Sequence, residues 1–250
     1  MEKIFGRPKG LSELPFHYCP GCTHGVIHRL IGEVLAELDI IGDTIGVAPV
    51  GCAGFCLDYF NCDFVGAAHG RAQAAATGIK RALPDKIVFT YQGDGDIAAI
   101  GTAHAIHVAA RGEKITTIMV NNAVFGMTGG QMAPTTLDGQ VTTTSPYGRD
   151  CAVVGAPIDL PKTIATLSGA VYVAACAVDT PQNILQAKKC IKKAFQVQQK
   201  GLGFSLVSIL SICPTNWGLS PLDSLKWLRE NMVPVYEMGE IKMTEEVKAL

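Results

Sequence analysis

The chain has 250 residues and a mass of 26.5 kDa, with 48% hydrophobic residues, 17% charged residues and a formal net charge of −1. That length suits one large domain with modest additions, and the apolar balance (mean hydropathy +0.25) implies that other chains cover part of its surface. The near-zero charge argues against nucleic acid as a partner, and no apolar run reaches the roughly 18–20 residues that cross a bilayer.

In chain order, the opening "MEKIFGRPKG" lacks the apolar stretch of a signal peptide, which reads as a cytoplasmic chain. Residues 24–38 read as a helix, 44–50 as a strand and 70–83 as a helix. A strand over 86–92 is followed by a helix over 97–112 ending at a glycine cap, then by a strand over 115–121. The polar stretch 127–150 is long for a structureless connection, so it is either a mobile surface loop or a source of hydroxyl and backbone contacts to a ligand. A helix over 182–198 and a strand over 204–211 follow, and the tail "EIKMTEEVKAL" reads as a short helix or a disordered end. Short apolar strands alternating with helices predict an α/β fold: three layers, α/β/α, around a mainly parallel sheet. We expect one domain over 1–250, with an N-terminal cysteine-loop segment at about 12–24 and a C-terminal extension at about 214–250.

The stretch "FTYQGDGDIAAIG" sets Asp94 and Asp96 between glycines directly after a strand. In open α/β sheets ligands bind beyond the carboxyl ends of strands, and the free N–H groups of the following helix favour an anion such as phosphate. The next strand ends in "NNAVFG" (121–126). A right-handed crossover commonly lays consecutive strands side by side, so a carboxylate and an amide oxygen can share one hard cation. Mg²⁺ bridged to a diphosphate suits that pair, since Mg²⁺ takes one or two carboxylates plus phosphate oxygens.

Nine cysteines is a high count, and in a reducing compartment metal or redox chemistry outranks a disulfide framework. Cys19-x-x-Cys22, Cys52 and Cys213 supply four thiols from three loops, enough for a [4Fe–4S] cluster or for Zn²⁺, and spacing does not choose between them. A thioredoxin-like CxxC is disfavoured, because no strand precedes "LSELPFHY". Cys176 and Cys190 fall in apolar or helical runs and read as packing residues. His104 and His107 read the same way, and "KKCIKK" (188–193) reads as the solvated face of a helix.

The segment "GDGDIAAIGTAHAIHVAARGEKITTIMVNNAVFGMTGGQ", together with "HYCPGCTHG", Gly51–Cys52, "HGRAQAAATGIK" and "CPTNW", resembles the β subunit of the 2-oxoacid:ferredoxin oxidoreductases of the 2-oxoisovalerate and 2-oxoglutarate type. The resemblance runs from about Cys19 to Trp217 and implies a thiamine-diphosphate (TPP) domain of the diphosphate-binding type. It implies Mg²⁺ held by Asp94, Asn122 and the carbonyl of Val124. Gly93, Gly95 and Asp96 would line the diphosphate, and Ala123, Val124, Phe125, Gly126 and Met127 would complete the wall. Asp96 has an alternative, capping the helix that follows it. The resemblance places His69 against the cofactor as a polar contact. His24 either contacts the cofactor or fills a glycine-rich turn. Cys19, Cys22, Cys52 and Cys213 would ligate a [4Fe–4S] cluster beside the cofactor. Cys56 and Cys62 compete with Cys52, and the Gly-Cys pair favours Cys52. The implied reaction is oxidative decarboxylation of a 2-oxoacid with coenzyme A to acyl-CoA and CO₂, with electrons passing through the cluster to ferredoxin. It implies an α subunit carrying the activating glutamate, with γ and δ subunits alongside. Two other readings are a non-oxidative TPP decarboxylase or synthase subunit and a non-catalytic four-cysteine metal module.

Overall fold

The structure, a computed structural model, describes residues 6–250, so the first half of "MEKIFGRPKG" lies outside the described residues. After the cysteine loop the chain forms α1 (His24–Glu37), β1 (Thr44–Ala48), the short α2 (Cys56–Tyr59) and β2 (Asp63–Gly66). Next come α3 (Ala72–Ala82), β3 (Ile87–Gly93), a π-helical turn (Asp96–Ile100), α4 (Thr102–Ala110) and β4 (Thr116–Asn121). A small hairpin of β5 (Val124–Phe125) and β6 (Gln131–Met132) leads through α5 (Cys151–Val154) and α6 (Leu160–Ala165) to β7 (Ala170–Ala177). Then follow α7 (Pro181–Gln199), β8 (Phe204–Leu210), α8 (Pro214–Trp217) and α9 (Pro221–Trp227). A second π-helical turn (Leu228–Met232), β9 (Gly239–Met243) and α10 (Glu245–Lys248) end the described chain.

Seven strands make one sheet in the order β2-β1-β3-β4-β8-β7-β9. All neighbours run parallel except β9, which pairs antiparallel with β7 at the edge. Side chains alternate across the sheet, as strand geometry requires. Phe89, Tyr91 and Ile118 join the core with α1 and α7, whereas Val88 and Met119 join the opposite core with α3, α4 and α6. These two cores make the three layers the sequence predicts. From β1 the chain runs outward to β2 and returns to β3 on the other side of β1, so strand order reverses between β1 and β3. That reversal opens a crevice beyond the carboxyl ends of the two strands.

Several expectations need correction. β7, "AVYVAACA", escapes the sequence reading because a short, continuous apolar run has no period to separate strand from buried helix. The helix expected over 97–112 starts as a wide turn, with the Gly101 N–H donating to the Asp96 carbonyl five residues back at 3.0 Å. The tail is neither disordered nor purely helical, since β9 closes the sheet edge before α10. The lysines of "KKCIKK" do not form a merely solvated face. Lys188 and Lys192 pair with Glu33 and Glu37 of α1, and Lys193 pairs with Glu240 of β9. His104 and His107 lie outside the core, because the buried face of α4 is Ala105, Val108 and Ala109. The stretch 127–150 carries β6 and two fully buried threonines, Thr135 and Thr136, beside exposed residues such as Val141 and Tyr147.

Candidate functional site

Register sets four strand ends at one level. Val47 pairs with Thr90, Gly93 with Val120 and Asn121 with Leu210. Residues just past the ends of β1, β3, β4 and β8 therefore meet, and among them are Cys52, Asp94, Asn122 and Cys213. A cavity of about 260 Å³ opens there, lined by His24, Cys52, His69, Asp94, Asn122 and Gly126 among others.

Asp94 is 2% exposed, and burial pushes its carboxyl up to about 6. The Thr135 hydroxyl and the backbone N–H groups of Gly95 and Ala123 pull the other way. Among the described residues no lysine or arginine pairs with it. A buried carboxylate without a cationic partner is costly unless a cation completes it. On the adjacent strand end, Ala123 takes φ +59, a conformation non-glycine residues rarely adopt. It is held between an Asn121 side chain that accepts its N–H at 3.1 Å and a Thr136 hydroxyl that donates to its carbonyl at 2.6 Å. Asn122 Oδ1 accepts the Val124 N–H at 3.2 Å, and the Asn122 carbonyl accepts the indole N–H of Trp217 at 3.2 Å. A Cβ on Gly93 or Gly51 would meet no protein atom within 4 Å, so both backbones are open to a ligand. One on Gly95 would lie 2.5 Å from the Phe125 ring, so that close approach requires glycine.

Gly126 separates two sulfurs: a Cβ there would lie 3.6 Å from Cys213 Sγ and 3.7 Å from Cys52 Sγ. Asn216 Nδ2 donates to Cys213 Sγ at 3.2 Å and to the Gly126 carbonyl at 2.8 Å. Burial raises the thiols of Cys22, Cys52 and Cys213, Cys22 to about 12. Cys22 also feels Cys213, Cys52 and Cys19, while Cys52 and Cys213 both feel Cys19. Cys56 is fully buried and interacts with Cys62 and Asp58 instead. Among the described residues, no three His, Cys, Asp or Glu side chains converge closely enough to hold one metal ion.

Asp96 lines the cavity but caps no helix. Its Oδ1 accepts the Gly70 N–H at 2.7 Å and lies 3.1 Å from His69 Nδ1, and its Oδ2 accepts Gln92 Nε2 at 2.5 Å. These bonds turn the carboxylate away from the helix N–H groups, which corrects the capping alternative. His24 is no turn filler either. It begins α1, is 3% exposed, bonds the Tyr91 hydroxyl through Nδ1 at 2.6 Å and stacks on Tyr18. Burial lowers its imidazole to about 4, so the ring is neutral. Cys151 lies outside the site.

Residues 50–209 match the family described as "Thiamine pyrophosphate enzyme, C-terminal TPP binding domain". The ketoisovalerate oxidoreductase subunit VorA of Methanothermobacter thermautotrophicus is 44% identical over 232 residues, covering 93% of this chain and 49% of its own length. The 2-oxoglutarate synthase subunit KorB of Methanocaldococcus jannaschii is 40% identical, covering 94% of this chain and 84% of its own. A solved 2-oxoglutarate:ferredoxin oxidoreductase from Magnetococcus marinus superposes with a TM-score of 0.77 at 30% identity, over 88% of this chain and 71% of that one. The chain belongs to the TPP enzymes, among the 2-oxoacid oxidoreductase subunits. It spans about half the length of the VorA relatives it matches.

This TPP-binding subunit fits its cofactor on its own geometry. It offers a buried carboxylate with no lysine or arginine partner among the described residues, an amide on the neighbouring strand end, open glycine backbone at Gly93 and Gly51, and the Cys52 and Cys213 sulfurs beside Gly126. Sequence reasoning missed Thr135, Tyr91 and Asn216. Asn216 sits inside the quoted "CPTNW", and its position three residues after a candidate ligand was the available signal. Thr135, more than forty residues from Asp94 along the chain, carried none.

Proposed function

We propose that this chain is the β subunit of a 2-oxoacid:ferredoxin oxidoreductase, converting a branched-chain 2-oxoacid or 2-oxoglutarate, with coenzyme A, to acyl-CoA and CO₂. The observation that carries the reading is the wall at Gly126, where Asp94, Asn122 and Cys52 line one cavity and the Cys213 sulfur lies just behind it. When bound, TPP supplies the carbanion chemistry next to a carbonyl, and an iron–sulfur cluster supplies single-electron acceptance.

The chain's own residues hold these groups. Asp94, Asn122 and the Val124 carbonyl are assigned to Mg²⁺, and Gly93, Gly95, Asp96 and residues 123–127 to the diphosphate wall. His69, fixed against Asp96, and His24, fixed by Tyr91, present imidazoles to the cavity. Cys19, Cys22, Cys52 and Cys213 are assigned to a [4Fe–4S] cluster, with the Asn216 amide donating to a ligand sulfur and so tuning it. The nine free cysteines suit a reducing cytoplasm. The cysteine loop and the C-terminal segment act as parts of one domain, supported by the packing of Pro221 against Gly21 and of Tyr236 against Thr135. An α subunit, with γ and δ subunits, completes the enzyme, and ferredoxin takes the electrons.

Anaerobic purification should yield about four irons per chain with broad visible absorption. Asp94→Ala should abolish Mg²⁺-dependent TPP binding. Zinc in place of iron, or tight binding retained by Asp94→Ala, overturns the assignment.

A further inference from the structure

Two adjacent threonines fasten both halves of the cation site from behind. Thr135 donates its hydroxyl to Asp94 Oδ2, and Thr136 donates its hydroxyl to the Ala123 carbonyl at 2.6 Å. Both are fully buried. Asp94 follows β3, and Ala123 is the positive-φ residue between Asn122 and Val124. One dipeptide therefore fixes the orientation of the carboxylate and the strained backbone that presents the amide and the carbonyl.

We propose that Thr135 and Thr136 are positioning residues. They set the spacing between Asp94 and the Asn122–Val124 corner, and so the affinity for a Mg²⁺-bridged diphosphate. The inference rests on the assignment of Asp94 and Asn122 to that cation.

The dipeptide is itself held stiffly. Arg149 is 6% exposed, and its Nη1 donates to the carbonyls of Ala133, Pro134 and Thr136 at 3.1, 3.1 and 2.9 Å. The rest of the guanidinium donates to the carbonyls of Gly155 and Ala156. Neutral oxygens satisfy this buried cation, so the threonine segment is pinned without a second carboxylate beside Asp94. The Ala133 N–H donates to Thr136 Oγ1 at 2.8 Å, which turns that hydroxyl's own proton toward Ala123. The Tyr236 hydroxyl donates to the Thr135 carbonyl at 2.6 Å. A ligand whose outer partners are fixed holds its geometry when the ion arrives, whereas a free carboxylate must be ordered first.

The test uses the full chain co-purified with its partner subunit, stripped of metal, with TPP binding followed by equilibrium dialysis as Mg²⁺ is raised. A hydroxyl bonded to a charged carboxylate is a strong hydrogen bond, so Thr135→Val should raise the Mg²⁺ midpoint about tenfold. Thr135→Ser, which restores the hydroxyl, should return it to within about threefold of wild type. The metal-free melting temperature should not follow that order. A Thr135→Val midpoint equal to wild type overturns the proposal, as does a Ser variant as impaired as Val. If Thr135→Val does not fold, Tyr236→Phe frees the Thr135 carbonyl and should raise the midpoint about threefold; no shift overturns the proposal. Asp94→Ala run in parallel separates the failures. If it keeps Mg²⁺ dependence, the cation assignment falls and the positioning role with it. If it loses that dependence while Thr135→Val matches wild type, the positioning role alone falls.

Discussion

His24 and His28 stand one turn apart on α1, both enclosed, and burial lowers both imidazoles, His24 to about 4. The unfolded chain takes up a proton at each near the ordinary value of about 6.5, and the folded chain does so only at lower pH. Their contribution to stability is therefore complete above about 6.5 and is lost as the pH falls toward the folded value. From His24 alone the loss between pH 7.5 and 5 is about 2 kcal/mol, and His28 adds to it with the same sign. Urea unfolding at these two pH values should show His24→Gln, which keeps a polar partner for Tyr91, losing about 2 kcal/mol less than wild type. Equal losses in the two proteins would contradict the buried, neutral ring.

At the scale of elements, the loop before α3 meets the start of α4 at Gly70. Its φ is +69, and an added Cβ would lie 2.2 Å from Ile100 Cγ2 and 2.7 Å from the Gly101 nitrogen. Its N–H holds Asp96, which in turn faces His69. Gly70→Ala should cost about 2–4 kcal/mol, the left-handed penalty plus overpacking, and should disturb the Asp96 side of the cavity. Gly78, inside α3, has nothing within 4 Å of its added Cβ, so Gly78→Ala should stabilise by about 0.5–1 kcal/mol. Thermal melts of the two variants check the contrast, and a Gly70→Ala melt at the wild-type temperature refutes the close approach. Both glycines sit in one stretch, "HGRAQAAATGIK", and nothing local distinguishes their roles. What the sequence does reveal is local: β3 and β4 show as short apolar runs rich in β-branched residues, and α1 and α7 as longer helical stretches. β7, an apolar run rich in alanine, is ambiguous with a buried helix, and Thr135 meets Asp94 only through tertiary packing, so both required the structure.

For the whole molecule, the four strand ends and the cysteines just past β1 and β8 follow from the parallel βα order that the sequence displays, while the surface bears on what would complete the proposed site. Val50 and Met127 line the cavity yet are 49% and 46% exposed, and Phe55 and Leu57, just after Cys52, are also exposed. Among the described residues that line the cavity none is a glutamate, the group that the proposed reading assigns to the partner. Ligand sites usually bury 70–90% or more of their ligand, and the rim of this cavity carries exposed apolar side chains. A partner that caps it would bury the exposed apolar rim and the remaining cofactor surface in one step. The isolated chain should therefore bind TPP at least about tenfold more weakly than the assembled complex, a difference of about 1.4 kcal/mol, and should turn over no 2-oxoacid. Side-by-side dialysis and acyl-CoA assays of the chain alone and of the complex decide the matter. Full turnover by the chain alone would mean that the activating group lies within it, and the shared-site reading would fail.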